Sequence, residues 1–492
     1  MSEPRKLVLT VIDAMKPAML ERAMATGRAP ALKMVMERGH VVEDCVAAFP
    51  SVTPVCAASI ATGVGPAEHD IPSMNWYHRD EERYVEYGTS FKASQTFGFK
   101  RSLTDTIYNM NLEHLSGDVK TVFESLDDAD VRTAGTTYLM YRGRHRHEVA
   151  SETALTRLAS TVFRQPVYGP KEFFYADIFA SRKTSCRAQL GLPGMRDQHA
   201  GCVGAQLVEE DLFDFLLLSL PDNDTHSHRN GPFAQVASIA AADKQIERLM
   251  HAAGGPEKFL DEHAMIVCSD HSQSQVEKEI DLFKAFDGFE VEPPAMPRVR
   301  RTAEPEVAIC PSSRSAQIYI LERERRGELM PRVEKTVLAL DGVDLMMRMT
   351  DHPDGEALIR GSCGELRFAP GGDLVDLRGE RWHAEGDLGL LGLQVRDGEL
   401  SSATYPDALG RVWSALRCRT AGELLLSAKP GYEFVDWGGD HHVGGGSHGS
   451  LHANDSLGSL LWCGTGPDAG ARAQWSLRDV VPMVREHFGV AG

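Results

Sequence analysis

The sequence predicts an α/β fold: a mostly parallel sheet sandwiched by helices, with an α+β segment inserted late in the chain. Three observations lead there. Leu7 to Ile12 and Met265 to Cys268 are continuous, β-prone apolar runs, and Phe213 to Leu218 is a third broken only by Asp214, as in strands buried on both faces. Helical patterns alternate with them up to about residue 275. From Ser315 the pattern changes to short strands punctuated by glycine, which reads as a separate unit. The expected organisation is a main domain over 1–300 and 436–492, with an inserted cap region over 301–435.

In order, Leu7 to Ile12 is a central strand, and Asp13 stands at its C-terminal end. That edge is where ligands bind in open α/β sheets. Asp13 could instead cap the helix expected over Met15 to Thr26. Next comes Phe49-Pro50-Ser51-Val52-Thr53-Pro54, followed by a helical run of small residues, Val55 to Ala61, which Gly63 stops. Pro54 suits a first helical turn because it has no amide hydrogen to lose there. Thr53 then stands at a helix N-terminus, either as an ordinary cap or as a hydroxyl beside a bound anion. Asn75 to Tyr87 is aromatic and polar, expected as a loop or short hairpin near a site.

Val131 to Thr137 is another strand. The segment after it holds three arginines and two histidines in six residues, Arg142 to His147. In an acidic protein this patch is either an anion contact or a solvated loop. Phe213 to Leu218 ends in Pro221 to Pro232, dense in acid and imidazole. Ala237 to Ala252 is an amphipathic helix, and Met265 to Cys268 a strand ending in Ser269-Asp270-His271. In the inserted region, Ala316 to Leu321 and Val343 to Met349 are strands and Arg326 to Leu340 a helix. A glycine-rich loop, Gly439 to Ser450, carries His441, His442 and His448. A strand, Ser459 to Cys463, and a helix, Leu477 to Phe488, return the chain to the main domain.

The chain has 492 residues, 42% hydrophobic and 25% charged, with formal charge −18. That acidity argues against a nucleic-acid polymer as partner. It leaves an anionic small molecule open, because bound divalent cations reverse the local sign. No apolar run reaches the length of a membrane span. The nine cysteines are scattered without a CxxC pair, so reduced thiols and a cytoplasmic location are expected.

Asp13, Thr53, Asp224, His228, Asp270 and His271 all fall at or just beyond strand ends, and His448 comes from a distant loop. Singly, each is more often a cap or a satisfied polar group. Together they supply oxygen and imidazole ligands that suit two zinc ions, with manganese or another divalent cation as the alternative. A two-metal site serves phosphoryl transfer, whose catalysis is mostly positioning and charge stabilisation.

This ordered set resembles the alkaline phosphatase superfamily, and within it the nucleotide pyrophosphatase/phosphodiesterase branch, over about residues 5–275 and 435–490. The resemblance implies an alkaline phosphatase-like fold. It implies one zinc held by Asp13, Thr53, Asp270 and His271, and another by Asp224, His228 and His448. Asp222 and His226 keep the same spacing as Asp224 and His228 and are the fallback pair. From their places in the sequence, His441 and His442 could compete with His448 as ligands, and His452 could support a ligand from behind. By the same resemblance Thr53, rather than Ser51, attacks phosphorus in line, and the phospho-threonine is then hydrolysed. Asn75 matches a donor to a phosphate oxygen, although Asp70 replaces the branch's glycine before it. Cys56 stands where the branch often has asparagine.

The function expected is hydrolysis of a small phosphodiester or pyrophosphate. Tyr141, Arg142 and Arg144 are candidate substrate contacts, and Trp76, Tyr77, Tyr138 and Tyr141 candidate stacking partners for a base. A phosphonate hydrolase of the phosphonoacetate type or a phosphomonoesterase is the first alternative, and a non-catalytic metal-binding sensor the second. A sulfatase lacks its Cys/Ser-x-Pro-x-Arg motif here. A homodimer stays open.

Overall fold

The computed structural model describes residues 6–149, 165–176, 178–187, 192–294, 304–351, 355–362 and 364–491. The expected boundary at 300/301 lies outside the described residues.

The main sheet has eight strands, in the order His40–Val46, Leu457–Cys463, His263–Cys268, Lys6–Ile12, Phe215–Leu220, Thr133–Thr136, Glu172–Tyr175 and Phe179–Ala180. Lys6–Ile12 pairs in parallel with both its neighbours, Phe215–Leu220 and His263–Cys268. Leu457–Cys463 runs antiparallel between His263–Cys268 and His40–Val46, so His40–Val46 points the same way as the centre. The mostly parallel sheet expected from the sequence is therefore present.

Alternation along the central strand explains its continuous apolar sequence. Leu7, Leu9 and Val11 enter one core, while Val8 and Ile12 enter the other. Burying each such side chain is worth about 1.5–3 kcal/mol, so neither face tolerates a polar residue cheaply. One face is covered by Thr53–Thr62, Val122–Asp127 and Val480–Phe488. The other is covered by Pro17–Ala25, Pro30–Arg38, Arg196–Glu209, Val236–Ala252 and Pro256–Glu262. Prolines open three of these helices, where a missing amide hydrogen costs nothing.

A second sheet of nine strands spans Val307–Ser312 to Leu424–Ala428 and is almost wholly antiparallel. Arg326–Leu338 packs on one face of it and Ala408–Arg417 on the other. The two sheets are joined through shared packing: Phe49 belongs to the second core, and Ala308, Cys310 and Tyr319 belong to the first.

One expectation is corrected. Cys186 and Cys202 are disulfide-bonded, with Cα atoms 5.7 Å apart. Folding brings the first turns of helix Arg196–Glu209 against the preceding loop, so the pair forms without a CxxC spacing. The bond weakens cysteine usage as an argument for a cytosolic location. Among the described residues six other cysteines are free and buried. Among the described residues no helix is long and apolar enough to cross a membrane.

Candidate functional site

Because the central strands run in parallel, their C-terminal ends share one edge. Lys6–Ile12 delivers Asp13, Phe215–Leu220 leads into the helix Asp222–Asn230, and His263–Cys268 leads to Asp270 and His271. His40–Val46 points the same way and leads to Thr53. The antiparallel Leu457–Cys463 starts at this edge, so the loop before it brings His448 there.

Thr53 is the first residue of the helix Thr53–Thr62, with Pro54 behind it and extended Val52 as the residue before the helix. Every residue from Pro54 to Thr62 is buried, which the small side chains of the run permit. Gly63 ends the helix at φ +78, and a Cβ there would lie 3.0 Å from Val481. The Thr53 hydroxyl lies 3.1 Å from His271 Nε2. Ser51, by contrast, is buried and donates to the Ser450 carbonyl at 2.8 Å.

Around His271 Nε2 stand Asp13 Oδ1 at 3.6 Å and Asp270 Oδ2 at 3.5 Å. Around Asp224 Oδ1 stand His228 Nε2 at 3.3 Å and His448 Nε2 at 3.7 Å. The His271 and His448 rings stack at 3.8 Å, which joins the two groups. In each of the three histidines Nδ1 donates to a backbone carbonyl: His271 to Ser272 at 3.1 Å, His228 to Gly446 at 2.8 Å and His448 to Ser51 at 2.9 Å. That hydrogen bond leaves Nε2 as the ligating atom, the usual arrangement of metal-binding histidines.

Electrostatics point the same way. Burial pushes Asp13 well above the ordinary carboxylate range, and Asp270 and Asp224 add to it. Burial raises Asp270 to about 6, against backbone amides that donate to it. Burial would raise Asp224 too, but His228, His448 and His271 outweigh it and hold Asp224 below its usual value. Burial lowers His271 to about 4 and His448 to about 3. For His228, Asp224 overcomes the effect of burial and raises it. Three desolvated carboxylates therefore crowd together with two imidazoles, His271 and His448, that resist protonation.

Asp13 Oδ1 is buried and accepts no hydrogen bond. Asp224, His228 and His448, and likewise Asp13, Asp224 and His271, present ligand atoms within 4.8 Å of one another. An unpartnered buried carboxylate oxygen, together with imidazole nitrogens facing inward, fits divalent cations by donor chemistry and by charge.

The other expected residues make other contacts. Asp222 binds Arg196 at 2.8 Å, and His226 binds the Ala234 carbonyl at 3.2 Å, so the fallback pair is outside the cluster. His441 pairs with Glu279 at 3.2 Å, and His442 with Glu433 at 2.8 Å. His452 accepts from the Asn454 amide at 3.1 Å. Asn75 opens a hairpin, Asn75–His78 with Arg83–Glu86, and its Nδ2 donates to the Val85 carbonyl at 3.0 Å. Its buried Oδ1 has no hydrogen-bond partner.

Tyr141 is buried against Phe173 and Tyr175, its hydroxyl on the Ile107 carbonyl. Arg142 pairs with Glu124 at 3.1 Å and donates to the carbonyls of Leu115, Ser116 and Val119. Arg144 pairs with Glu124 at 3.0 Å and Asp128 at 2.8 Å. The basic patch thus meets acids of the helix Val122–Asp127 and its end, not the cluster. Trp76, Tyr77 and Tyr138 are core residues, and Cys56 is fully buried.

Sequence reasoning missed Gln273, whose Nε2 donates to Asp224 Oδ1 and to the Asp224 carbonyl. It missed Gln235, which ties Ala14 and Lys16 to Ser227. It also missed Glu433, which accepts from His442 and Ser447. The only signal for Gln273 is its place two residues after His271; the other two have none.

A family model described as type I phosphodiesterase / nucleotide pyrophosphatase matches residues 7–354. Among solved structures, phosphonoacetate hydrolase from Sinorhizobium meliloti 1021, in complex with phosphonoformate, is 16% identical, with TM-score 0.55 over 99% of this chain and 96% of that one. Inactive murine ectonucleotide pyrophosphatase/phosphodiesterase 5 in complex with AMP is 11% identical, with TM-score 0.58 over 99% and 96%. Its human counterpart is 11% identical, with TM-score 0.57 over the same shares. No curated protein sequence matches the chain. The structural likenesses agree with the sheet and the helices described above, and the family match covers most of the chain. On that match the chain belongs to the type I phosphodiesterase / nucleotide pyrophosphatase family, a family of phosphoester hydrolases.

Proposed function

We propose that this protein is a two-zinc-dependent hydrolase of phosphodiester or pyrophosphate bonds in small molecules, with Thr53 as nucleophile. The observation that carries the reading is that Thr53 Oγ1, Asp270 Oδ2 and Asp13 Oδ1 surround one nitrogen, His271 Nε2, at 3.1, 3.5 and 3.6 Å. Asp13, Thr53, Asp270 and His271 would hold one zinc, and Asp224, His228 and His448 the other. Manganese in their place suits the same oxygen and nitrogen donors. When bound, the cations supply positive charge that lowers the pKa of the attacking hydroxyl and neutralises phosphoryl oxygens.

The chain's own residues do the rest. The helix Thr53–Thr62 points its N-terminus at the cluster, and its free amides and dipole favour an anionic phosphoryl group. Thr53 Oγ gives up its proton to solvent and attacks phosphorus, forming a P–O bond as the bond to the leaving oxygen breaks. The leaving oxygen keeps the electron pair and takes a proton from solvent. Water then attacks the phospho-threonine, the bond to Oγ breaks, and Thr53 regains its proton. The region 301–435 is the insertion that bounds the leaving group.

The test is a substrate panel on the parent and on Thr53→Ala, with zinc content measured on both. Faster release from bis(p-nitrophenyl) phosphate than from p-nitrophenyl phosphate supports the diesterase. Faster monoester turnover, or phosphate release from phosphonoacetate, moves the assignment to the alternatives. Zinc retained by a parent with no turnover on any substrate supports the sensor.

A further inference from the structure

Glu433 lies on the strand Gly431–Phe434, paired in parallel with Ser274–Ile280. Glu433 is 1% exposed, yet it is no member of the candidate ligand set. Three donors converge on it: the His442 amide at 2.6 Å, His442 Nδ1 at 2.8 Å and Ser447 Oγ at 2.6 Å. His442 lays its ring on that of His228, centroids 4.1 Å apart at 32°. Ser447 immediately precedes His448, and the Gly446 carbonyl before it holds His228 Nδ1 at 2.8 Å. The loop passes so close that a Cβ on Gly445 would lie 1.9 Å from the His228 carbonyl oxygen.

We infer that Glu433, with His442, is a positioning pair for one of the two cations, the one held by Asp224, His228 and His448. The inference rests on the two-zinc reading above. The pair touches no substrate. It closes the segment 442–447 onto the back of His228 and sets the loop from which His448 reaches in. None of these contacts involves Asp13 or Asp270, so the effect falls first on one cation. Hydrogen bonds that orient a ligand from behind carry roughly ten- to a hundredfold of metal affinity.

The test counts bound zinc and measures its affinity by titration in the full-length protein, for the parent, Glu433→Gln and His442→Ala. Cobalt(II) spectra of the same proteins identify the site, with Asp224→Asn and Asp270→Asn as references for its two halves. His442 is partly exposed, so its replacement guards against a Glu433 variant that fails to fold. The expected result is one cation bound as in the parent and the second weakened about ten- to a hundredfold, with the cobalt spectrum moving toward that of Asp224→Asn. Parent-like binding of both cations in both variants overturns the pair's role and leaves the two-zinc reading intact. Equal weakening of both cations also overturns it, because that marks general support of the fold. A parent that binds fewer than two cations overturns the two-zinc reading itself, and this inference with it.

Discussion

The Thr53 hydroxyl donates its hydrogen bond to His271 Nε2 across 3.1 Å, although 218 residues separate the two. His271 Nδ1 donates to the Ser272 carbonyl, so Nε2 carries the lone pair and the threonine must be the donor. The hydroxyl therefore faces the cluster and does not cap its helix. Thr53→Ala is expected to lower kcat on the order of a thousandfold or more while zinc stays bound, as for removal of a nucleophile. Thr53→Ser, which keeps the oxygen, is expected to retain a measurable part of the activity. Steady-state kinetics with zinc analysis on the same preparations check both.

Ser51 provides the contrast. Its hydroxyl is buried on the Ser450 carbonyl at 2.8 Å, which ties the loop before Thr53 to the loop after His448. Ser51→Ala is expected to cost about 1 kcal/mol of stability, the net worth of one such bond, with turnover near that of the parent. Urea unfolding beside kinetics decides; a collapse of kcat to the Thr53→Ala level would reassign the nucleophile.

What was legible in the sequence is what depends on local pattern. Leu7 to Ile12, but for Thr10, and Met265 to Cys268 are apolar because both faces of their sheet are covered, and such runs announce themselves. Asp13, Asp270 and His271 follow those runs directly, so topology alone puts them on one edge. Asp224 against Asp222 was harder, because both precede a histidine by four residues on one helix, Asp222–Asn230. Only the direction each side chain takes separates them. Glu433 and Gln273 were invisible, since a lone acid or amide in a strand or loop has no pattern until its partners arrive from elsewhere. The Arg142–Arg144 patch misled for the same reason: the acids that meet it, Glu124 and Asp128, lie 18 and 16 residues before Arg142 and Arg144.

That patch yields its own expectation. Arg142 holds Glu124 and three carbonyls together in a half-buried setting. Arg142→Ala is expected to lower stability by about 1.5–3 kcal/mol, the range for hydrogen bonds to a charged group, and to leave KM within about twofold. A KM rise of tenfold without loss of stability would restore it as a substrate contact.

Arg314 and Asp455 form a pair with no exposed side-chain surface. Arg314 also donates to the Lys429 and Tyr432 carbonyls at 2.9 Å, and its amide donates to the His448 carbonyl at 2.8 Å. Asp455 accepts from the Ser450 amide at 3.0 Å. The pair thus braces both sides of the loop that carries His448. Arg314→Leu strands a buried carboxylate and is expected to cost about 3–5 kcal/mol. Adding Asp455→Leu removes that stranded charge and is expected to recover part of the loss. Urea unfolding of the two variants checks it, and a double variant no more stable than the single one would count against the pair.

Asp197 carries the clearest pH signature. Its amide donates to Asp222 Oδ2 at 3.1 Å and its Oδ1 accepts from the Asp222 amide at 2.9 Å, while Oδ2 is buried without a partner. Burial, reinforced by the Asp222 charge, raises its pKa from 3.8 to about 7. Between those values the folded protein keeps a proton that the unfolded chain has released. The stabilising contribution is therefore complete below the unfolded value, declines as pH rises, and is gone above the folded one. Other groups titrate in the same range, so the difference between parent and Asp197→Asn isolates this one. Urea unfolding at a series of pH values from 4 to 8 is expected to show the parent losing stability relative to the variant up to about pH 7, and no further change beyond it. Parallel profiles across that window would mean that the carboxyl is ionised throughout, and that Asp222 and burial do not hold its proton.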